Sequence, residues 1–204
     1  MNIRILQLIE GAKQAVGLTV VIDVFRAFTT ACFMMNNSAR AIYPVGTVEE
    51  AFKLKNELPD CLIAGERGEV IVPGFDFGNS PANIEHVDLS GKNIVHTTSA
   101  GTQGIVNAVN ADEIITAAFV NVYAVASYIQ SQNPENVSIV CMGKAAKAPA
   151  EEVTWCAEYI RALLVGEDYD IEDRLLRLRE LEGRRFFRPD NQAQCPERDF
   201  FLST

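Results

Sequence analysis

Apolar residues along this chain fall into short runs, each followed by a stretch with helical spacing. Thr19-Val-Val-Ile-Asp23 is short, β-branched and bounded by Gly17, the pattern of a buried strand. Small and apolar residues from Ala27 to Asn37 then predict a helix. Ala41-Ile-Tyr43 is a strand closed by Pro44 and Gly46. Thr47-Val-Glu-Glu50 is a capping box that opens a helix reaching Leu58. Leu62-Ile-Ala64 is the next strand, and Gly65 to Asn79 is a loop with one apolar stretch, Val70-Ile-Val72. Ser80-Pro81 supplies N-cap and N1 residues for a short helix. Beyond it, strands are expected at 93–97, 113–116 and 137–142, with helices at 101–109, 121–132 and 149–165. In the last helix Val153, Cys156, Ala157, Ile160 and Leu164 recur on one face. Such alternation predicts an α/β fold with a mostly parallel sheet, open to a mixed one.

Residues 172–182 predict a charged amphipathic helix, and the tail 184–204, with Pro189, Asn191 and Pro196, is expected to be irregular. The whole of 1–204 is read as a single α/β domain. A faint echo suggests internal duplication. Strand, helix and Ala39-Arg-Ala-Ile42 resemble strand, helix and Ala111-Asp-Glu-Ile114, with Thr29-Thr30 and Thr97-Thr98 in matching places.

Composition narrows the classes. A net charge of −9 argues against a nucleic-acid partner, which calls for a basic face. No apolar run reaches the roughly 18 residues of a membrane span, and no basic flank with a long apolar stretch marks a secretory signal. A cytoplasmic location is the expectation. The five cysteines are scattered, without a C-x-x-C pair, which disfavours a disulfide framework or zinc site. A homodimer is expected, as is common for such domains.

In a parallel sheet, ligands bind beyond the carboxyl ends of the strands. Asp23, Arg26, Thr29 and Thr30 follow the first apolar run; Glu66 and Arg67 follow the third. Thr97, Thr98, Ser99, Gly101 and Thr102 follow the fourth, Phe119 and Asn121 the fifth. Lys144 follows the sixth, with Glu151 and Glu152 on the helix beyond. Carboxylates, arginines, a lysine and hydroxyls at one edge suit a phosphate-type anion with a divalent metal. Each group also has a structural alternative. The Thr97–Gly101 stretch suits a helix cap, Asp23 and Arg26 an ion pair, Glu66-Arg67 a solvated turn, and Glu151-Glu152 the acids of a first helical turn.

Several motifs are absent: no G-x-x-x-x-G-K-[ST], no G-x-G-x-x-G after a strand, no G-x-S-x-G. His86 and His96 lack metal-ligand spacing. Cys61-x5-Arg67 has the spacing of a cysteine phosphatase. However, the strand assigned to Leu62–Ala64 would place its two ends apart, and Glu66 would repel the phosphate.

Four ordered stretches resemble the 2-phosphosulfolactate phosphatase family: Val-Val-Ile-Asp-Val-Phe-Arg-Ala-Phe-Thr-Thr (20–30), Ala-Gly-Glu-Arg-Gly (64–68), Gly-Phe-Asp-Phe-Gly-Asn-Ser-Pro (74–81) and Thr-Thr-Ser-Ala-Gly-Thr (97–102). The resemblance runs from Ile3 to about Leu164. It implies a three-layer α/β/α fold and a Mg2+-dependent phosphatase that removes phosphate from 2-phosphosulfolactate, a step of coenzyme M biosynthesis. It also implies a continuation past the equivalent of Thr204, so that a last strand is expected to be missing. The sequence departs from the family pattern at four positions, which bear on substrate identity more than on fold: Glu69 replaces a glycine, Ala100 an asparagine whose amide could touch substrate, Glu152 an aspartate and Glu158 a glycine.

Together these readings place Asp23, Arg26, Glu66 and Arg67 in the catalytic set, and Asp23 with Glu66 or Glu152 on the metal. Thr29, Thr30, Asn79, Ser80, Thr97, Thr98, Ser99, Gly101, Thr102 and Lys144 are assigned to a small anionic phosphoester. Attack by Asp23 and attack by metal-bound water both remain open. The rival classes are a phosphatase of another ester and a non-catalytic binder of a phosphorylated or sulfonated acid.

Overall fold

The computed structural model describes residues 1–204. Its α/β architecture has two four-stranded sheets rather than one. Strands β1 (Asn2–Gln7), β2 (Gly17–Ile22), β7 (Ala111–Ala117) and β8 (Asn136–Cys141) form an all-parallel sheet in the order β1-β8-β2-β7. Strands β3 (Ala41–Pro44), β4 (Cys61–Arg67), β5 (Val70–Ile71) and β6 (Asn93–Thr97) form the second, ordered β3-β6-β4-β5, in which only β5 runs antiparallel.

Central strands of a parallel sheet are covered on both faces and so lack polar alternation. In β2 and β6 every residue after Gly17 is buried. The first sheet carries a core cluster of 33 buried residues, including Val20, Ile22, Ile139, Cys156 and Ile160. The second has two small cores of 6 and 4 residues around Ile94 and Ile63.

Helices α1 (Leu8–Lys13), α2 (Ala27–Asn36), α3 (Val48–Glu57), α4 (Gly101–Asn107), α5 (Val122–Gln132), α6 (Glu151–Val165), α7 (Ile171–Leu178) and α8 (Glu197–Ser203) flank the sheets. The Thr47–Glu50 capping box forms as expected, with bonds of 3.1 and 3.0 Å. Helix α2 carries the chain from β2 into the second sheet, and α4 carries it from β6 back into the first. The two segments that echo one another in sequence therefore cross between sheets in opposite directions.

Other details differ from the sequence expectation. β4 runs on through Arg67 instead of stopping at Ala64, because β5 pairs with its end at Glu66 and Arg67. Ser80-Pro81 opens turns, not a helix, since the Ser80 hydroxyl donates instead to Asp199 at 2.8 Å. The tail is not irregular throughout. It makes 3-10 turns at Glu182–Phe187 and Pro189–Asn191, then α8. It is pinned by Phe186 and Phe200, which pack with Phe25 at ring separations of 5.0 and 5.9 Å. No helix is long and apolar enough to cross a membrane.

Candidate active site

The carboxyl ends of parallel strands from both sheets meet at one cavity of about 220 Å3. The first sheet supplies Asp23 after β2 and Lys144 after β8; the second supplies Glu66 on β4 and Ser99 after β6. Arg26, Asn79, Glu152 from the first turn of α6, and Arg185 from the tail complete its polar wall, with Gly68, Glu69, Phe25, Ala100 and Ala145.

Asp23 lies where β2 turns into α2. Its Oδ1 accepts the Ala27 amide at 3.1 Å. Burial raises its pKa to about 6, and the negative charge of Glu66 adds to the rise. Gly101 makes the approach of α4 possible: a Cβ there would stand 2.7 Å from Ala27 Cβ and 2.9 Å from Asp23 Oδ2.

Glu66 is clamped. Ser99 donates its amide to Oε1 at 2.6 Å and its hydroxyl to Oε2 at 3.0 Å, while the Glu69 amide donates to Oε2 at 2.7 Å. Glu152 is buried and its Oε2 has no hydrogen-bond partner. Desolvation raises its carboxyl pKa to about 8, with repulsion from Glu182 and Asp23 adding to the effect.

Arg26 is also buried, and its Nη1 donates to Asp199 and, at 2.8 Å, to the Gln194 carbonyl. Asp199 also accepts the Ser80 hydroxyl and the Ala82 amide, so its charge is fully partnered. Arg185 pairs with Glu69 at 3.0 Å and donates to the Phe25 carbonyl at 3.2 Å. Lys144 has no carboxylate within ion-pair distance.

Seven of the residues singled out from sequence thus share the cavity: Asp23, Arg26, Glu66, Asn79, Ser99, Lys144 and Glu152. The others lie elsewhere. Arg67 is a neighbour of Glu66 on the same strand, and successive strand residues face opposite ways. Its guanidinium therefore leaves the cavity and donates to the Gly46 carbonyl at 3.2 Å and to Thr97 Oγ1 at 2.9 Å. Thr98 and Thr102 satisfy each other around the start of α4: the Thr98 amide donates to Thr102 Oγ1 at 2.8 Å, and the Thr102 amide to Thr98 Oγ1 at 3.2 Å. Thr29 donates to the Val24 carbonyl at 2.8 Å, Thr30 is buried within α2, and Ser80 serves Asp199. The hydroxyl-rich stretch is thus mostly a helix cap, and only Ser99 faces the cavity.

Cys61 and Arg67 occupy opposite ends of β4, roughly 20 Å apart at strand rise. They cannot grip one phosphate. Arg185 and Asp199 escaped the sequence reading, and Glu69 stood out only as a departure from a family glycine. The first two lie far along the chain in a tail with no periodicity, and no local pattern ties them to β2.

The family model described as 2-phosphosulpholactate phosphatase matches residues 3–185, spanning both sheets and every strand that feeds the cavity. The chain belongs to the 2-phosphosulpholactate phosphatase family. Among similar members of this family, one from Deinococcus radiodurans is 34% identical over 157 residues, covering 76% of this chain and 65% of that protein. One from Thermotoga petrophila is 39% identical over 144 residues, covering 71% and 61%. One from Carboxydothermus hydrogenoformans is 35% identical over 175 residues, covering 85% and 72%. All three carry the name "Probable 2-phosphosulfolactate phosphatase". The chain thus spans a little under two thirds of the length of the first two of these phosphatase-family relatives.

Proposed function

We propose that the cavity hydrolyses the phosphate monoester of a small anionic 2-phospho acid, and that 2-phosphosulfolactate is the first compound to test. The observation that carries this reading is the pairing of two buried carboxylates, Asp23 and Glu152, with Lys144, Arg26 and Arg185 around one small cavity. Family membership adds the reaction class.

Mg2+ fits the donor set. No three acid, histidine or cysteine side chains close into a ready-made ion cage. Mg2+ needs none, since it is commonly held by one or two carboxylates plus waters and substrate oxygens. Glu152 Oε2, buried and without a partner, and Asp23 are the candidate holders. Glu66, expected from sequence as an alternative ligand, has both oxygens committed to Ser99 and Glu69. When bound, the ion supplies positive charge against these carboxylates and the phosphate.

The protein's own groups do the rest. Lys144, exposed and free of any carboxylate, attracts the phosphate dianion. Arg26 is oriented by Asp199 and lines the cavity, where it adds positive charge for the anion. Asp23, at the strand end, would either attack phosphorus or orient water. Hydrolysis breaks the ester P–O bond and passes the phosphoryl group to water, and the leaving oxygen takes a proton.

Phosphate release from a panel of phosphoesters, 2-phosphosulfolactate included, tests the reading with Mg2+ and with chelator. Metal-dependent release that Asp23→Asn abolishes in a folded protein is expected. A ligand-induced thermal shift without turnover would leave a binding protein instead.

A further inference from the structure

Glu69 occupies a conformation that favours glycine. Its φ is +70°, beside Gly68 at +59°, in the left-handed region that side chains disfavour. Its amide serves Glu66, which needs only backbone. Its carboxylate reaches into the cavity instead, and meets Arg185 Nη1 at 3.0 Å.

Arg185 is held from three sides. Nη2 donates to the Phe25 carbonyl, and the guanidinium sits 5.1 Å from the Phe186 ring centroid. Its Nε is buried and has no acceptor. The buried Nε–H of this cation thus remains unused, while Nη1 is already answered by an internal carboxylate. Arg26 is likewise answered by Asp199, deep in the protein. An incoming phosphoester therefore finds Lys144 free, but must displace Glu69 before a second acid group reaches Arg185.

We infer that Glu69 is a specificity-determining residue whose carboxylate stands in, on Arg185, for a second acid group of the substrate. The inference rests on the phosphatase reading of this cavity and sharpens its substrate class. The Glu69 charge weakens the hold of Arg185 on a carboxylate or sulfonate of the anionic substrate, relative to the same cavity without that charge.

Binding by calorimetry in the presence of Mg2+ tests this without turnover. Methylphosphonate carries one acid group; phosphonoacetate adds a carboxylate. The readout is the ratio of their dissociation constants in the full chain. Glu69→Gln keeps the side-chain length and the backbone, and removes the charge. It should shift the ratio about two- to fivefold in favour of phosphonoacetate, the scale of one partly exposed ion pair. Adding Arg185→Gln to Glu69→Gln should erase that shift, with thermal melts confirming both variants folded. A ratio that does not move in Glu69→Gln overturns the inference while leaving the phosphatase reading intact. So does a shift that persists without Arg185, because a general charge effect would then explain it. Absence of methylphosphonate binding in every variant overturns both.

Discussion

Ser99 holds both oxygens of Glu66, donating its amide at 2.6 Å to one and its hydroxyl at 3.0 Å to the other. The same hydroxyl accepts the Gly68 amide at 3.1 Å, so one side chain ties β4, the turn after it and the end of β6 together. Ser99→Ala deletes the hydroxyl and leaves the amide. A loss of about 1.5–3 kcal/mol in urea unfolding is expected, the scale of a hydrogen bond to a charged group. Phosphate release should fall with it. An unchanged urea midpoint and rate would mean that the hydroxyl is not needed to hold Glu66.

Asp199→Asn probes the opposite wall. Asparagine keeps an oxygen for Ser80 and Ala82 but strips the negative charge from a pair in which Arg26 is 3% and Asp199 0% exposed. Breaking a buried pair while leaving the other charge in place costs about 3–5 kcal/mol. Chemical denaturation should show that loss. The exposed Arg188–Asp190 pair serves as the control, and Asp190→Asn should leave the midpoint where it was.

Much of this was legible from local pattern, and the losses have a common cause. The run Asn93–Thr97 emerges as a strand with those same bounds, and Asp23, Glu66, Glu152 and Lys144 gather as strand-end logic requires. What local pattern could not supply depends on distant pairing. β4 was extended past Ala64 by β5, and that extension turns Arg67 away from the cavity. β1 is a strand because it lies beside β8, from Asn2 opposite Asn136 to Gln7 opposite Cys141. Asp199 claimed the Ser80 hydroxyl from 119 positions away. The division into two sheets was likewise invisible, because α2 and α4 read the same whether they return to their own sheet or cross to another.

Glu152 predicts a pH dependence in chelator-treated protein. Its carboxyl is raised from 4.5 to about 8 in the fold. Between those values the native state keeps a proton that the unfolded chain releases, so stability falls as pH rises through that window. Asp23, raised from 3.8 to about 6, acts in the same direction at lower pH. His96 opposes both: burial depresses it from 6.5 to about 4, so its cost appears as pH falls through that range. From pH 6.5 to 8 the comparison with Glu152→Gln therefore isolates Glu152. The melting temperature of the wild type should decline relative to the variant across that interval; parallel curves would count against a buried, protonated Glu152.

Gly101→Ala tests the packing beneath Asp23. The new methyl would press on Ala27 Cβ and on the Asp23 carboxylate, so one of them must shift. Overpacking of this kind costs about 1–3 kcal/mol. Phosphate release should drop further than stability alone accounts for, because Asp23 is displaced. Full activity at a temperature well below the variant's melting point would argue against a fixed Asp23.

Metal removal separates holding from folding. If the proposed ion site is right, Mg2+ added to chelator-treated protein should raise the melting temperature, since an ion held only by the assembled cavity stabilises the folded state. Asp23→Asn should blunt that rise, and Glu152→Gln should do so as well. Equal rises in all three proteins would place the ion elsewhere.

The unequal cores of the two sheets make the cavity more fragile than the molecule. Glu66 and Ser99 are carried by the sheet with clusters of only 6 and 4 buried residues, whereas Asp23 and Lys144 ride on the one with 33. Parts of a protein with few buried apolar neighbours open at lower free energy than the whole. Mild warming or dilute urea would thus dismantle half of the cavity wall while the larger sheet stayed intact, and the proposed phosphate release would vanish before most of the backbone had melted.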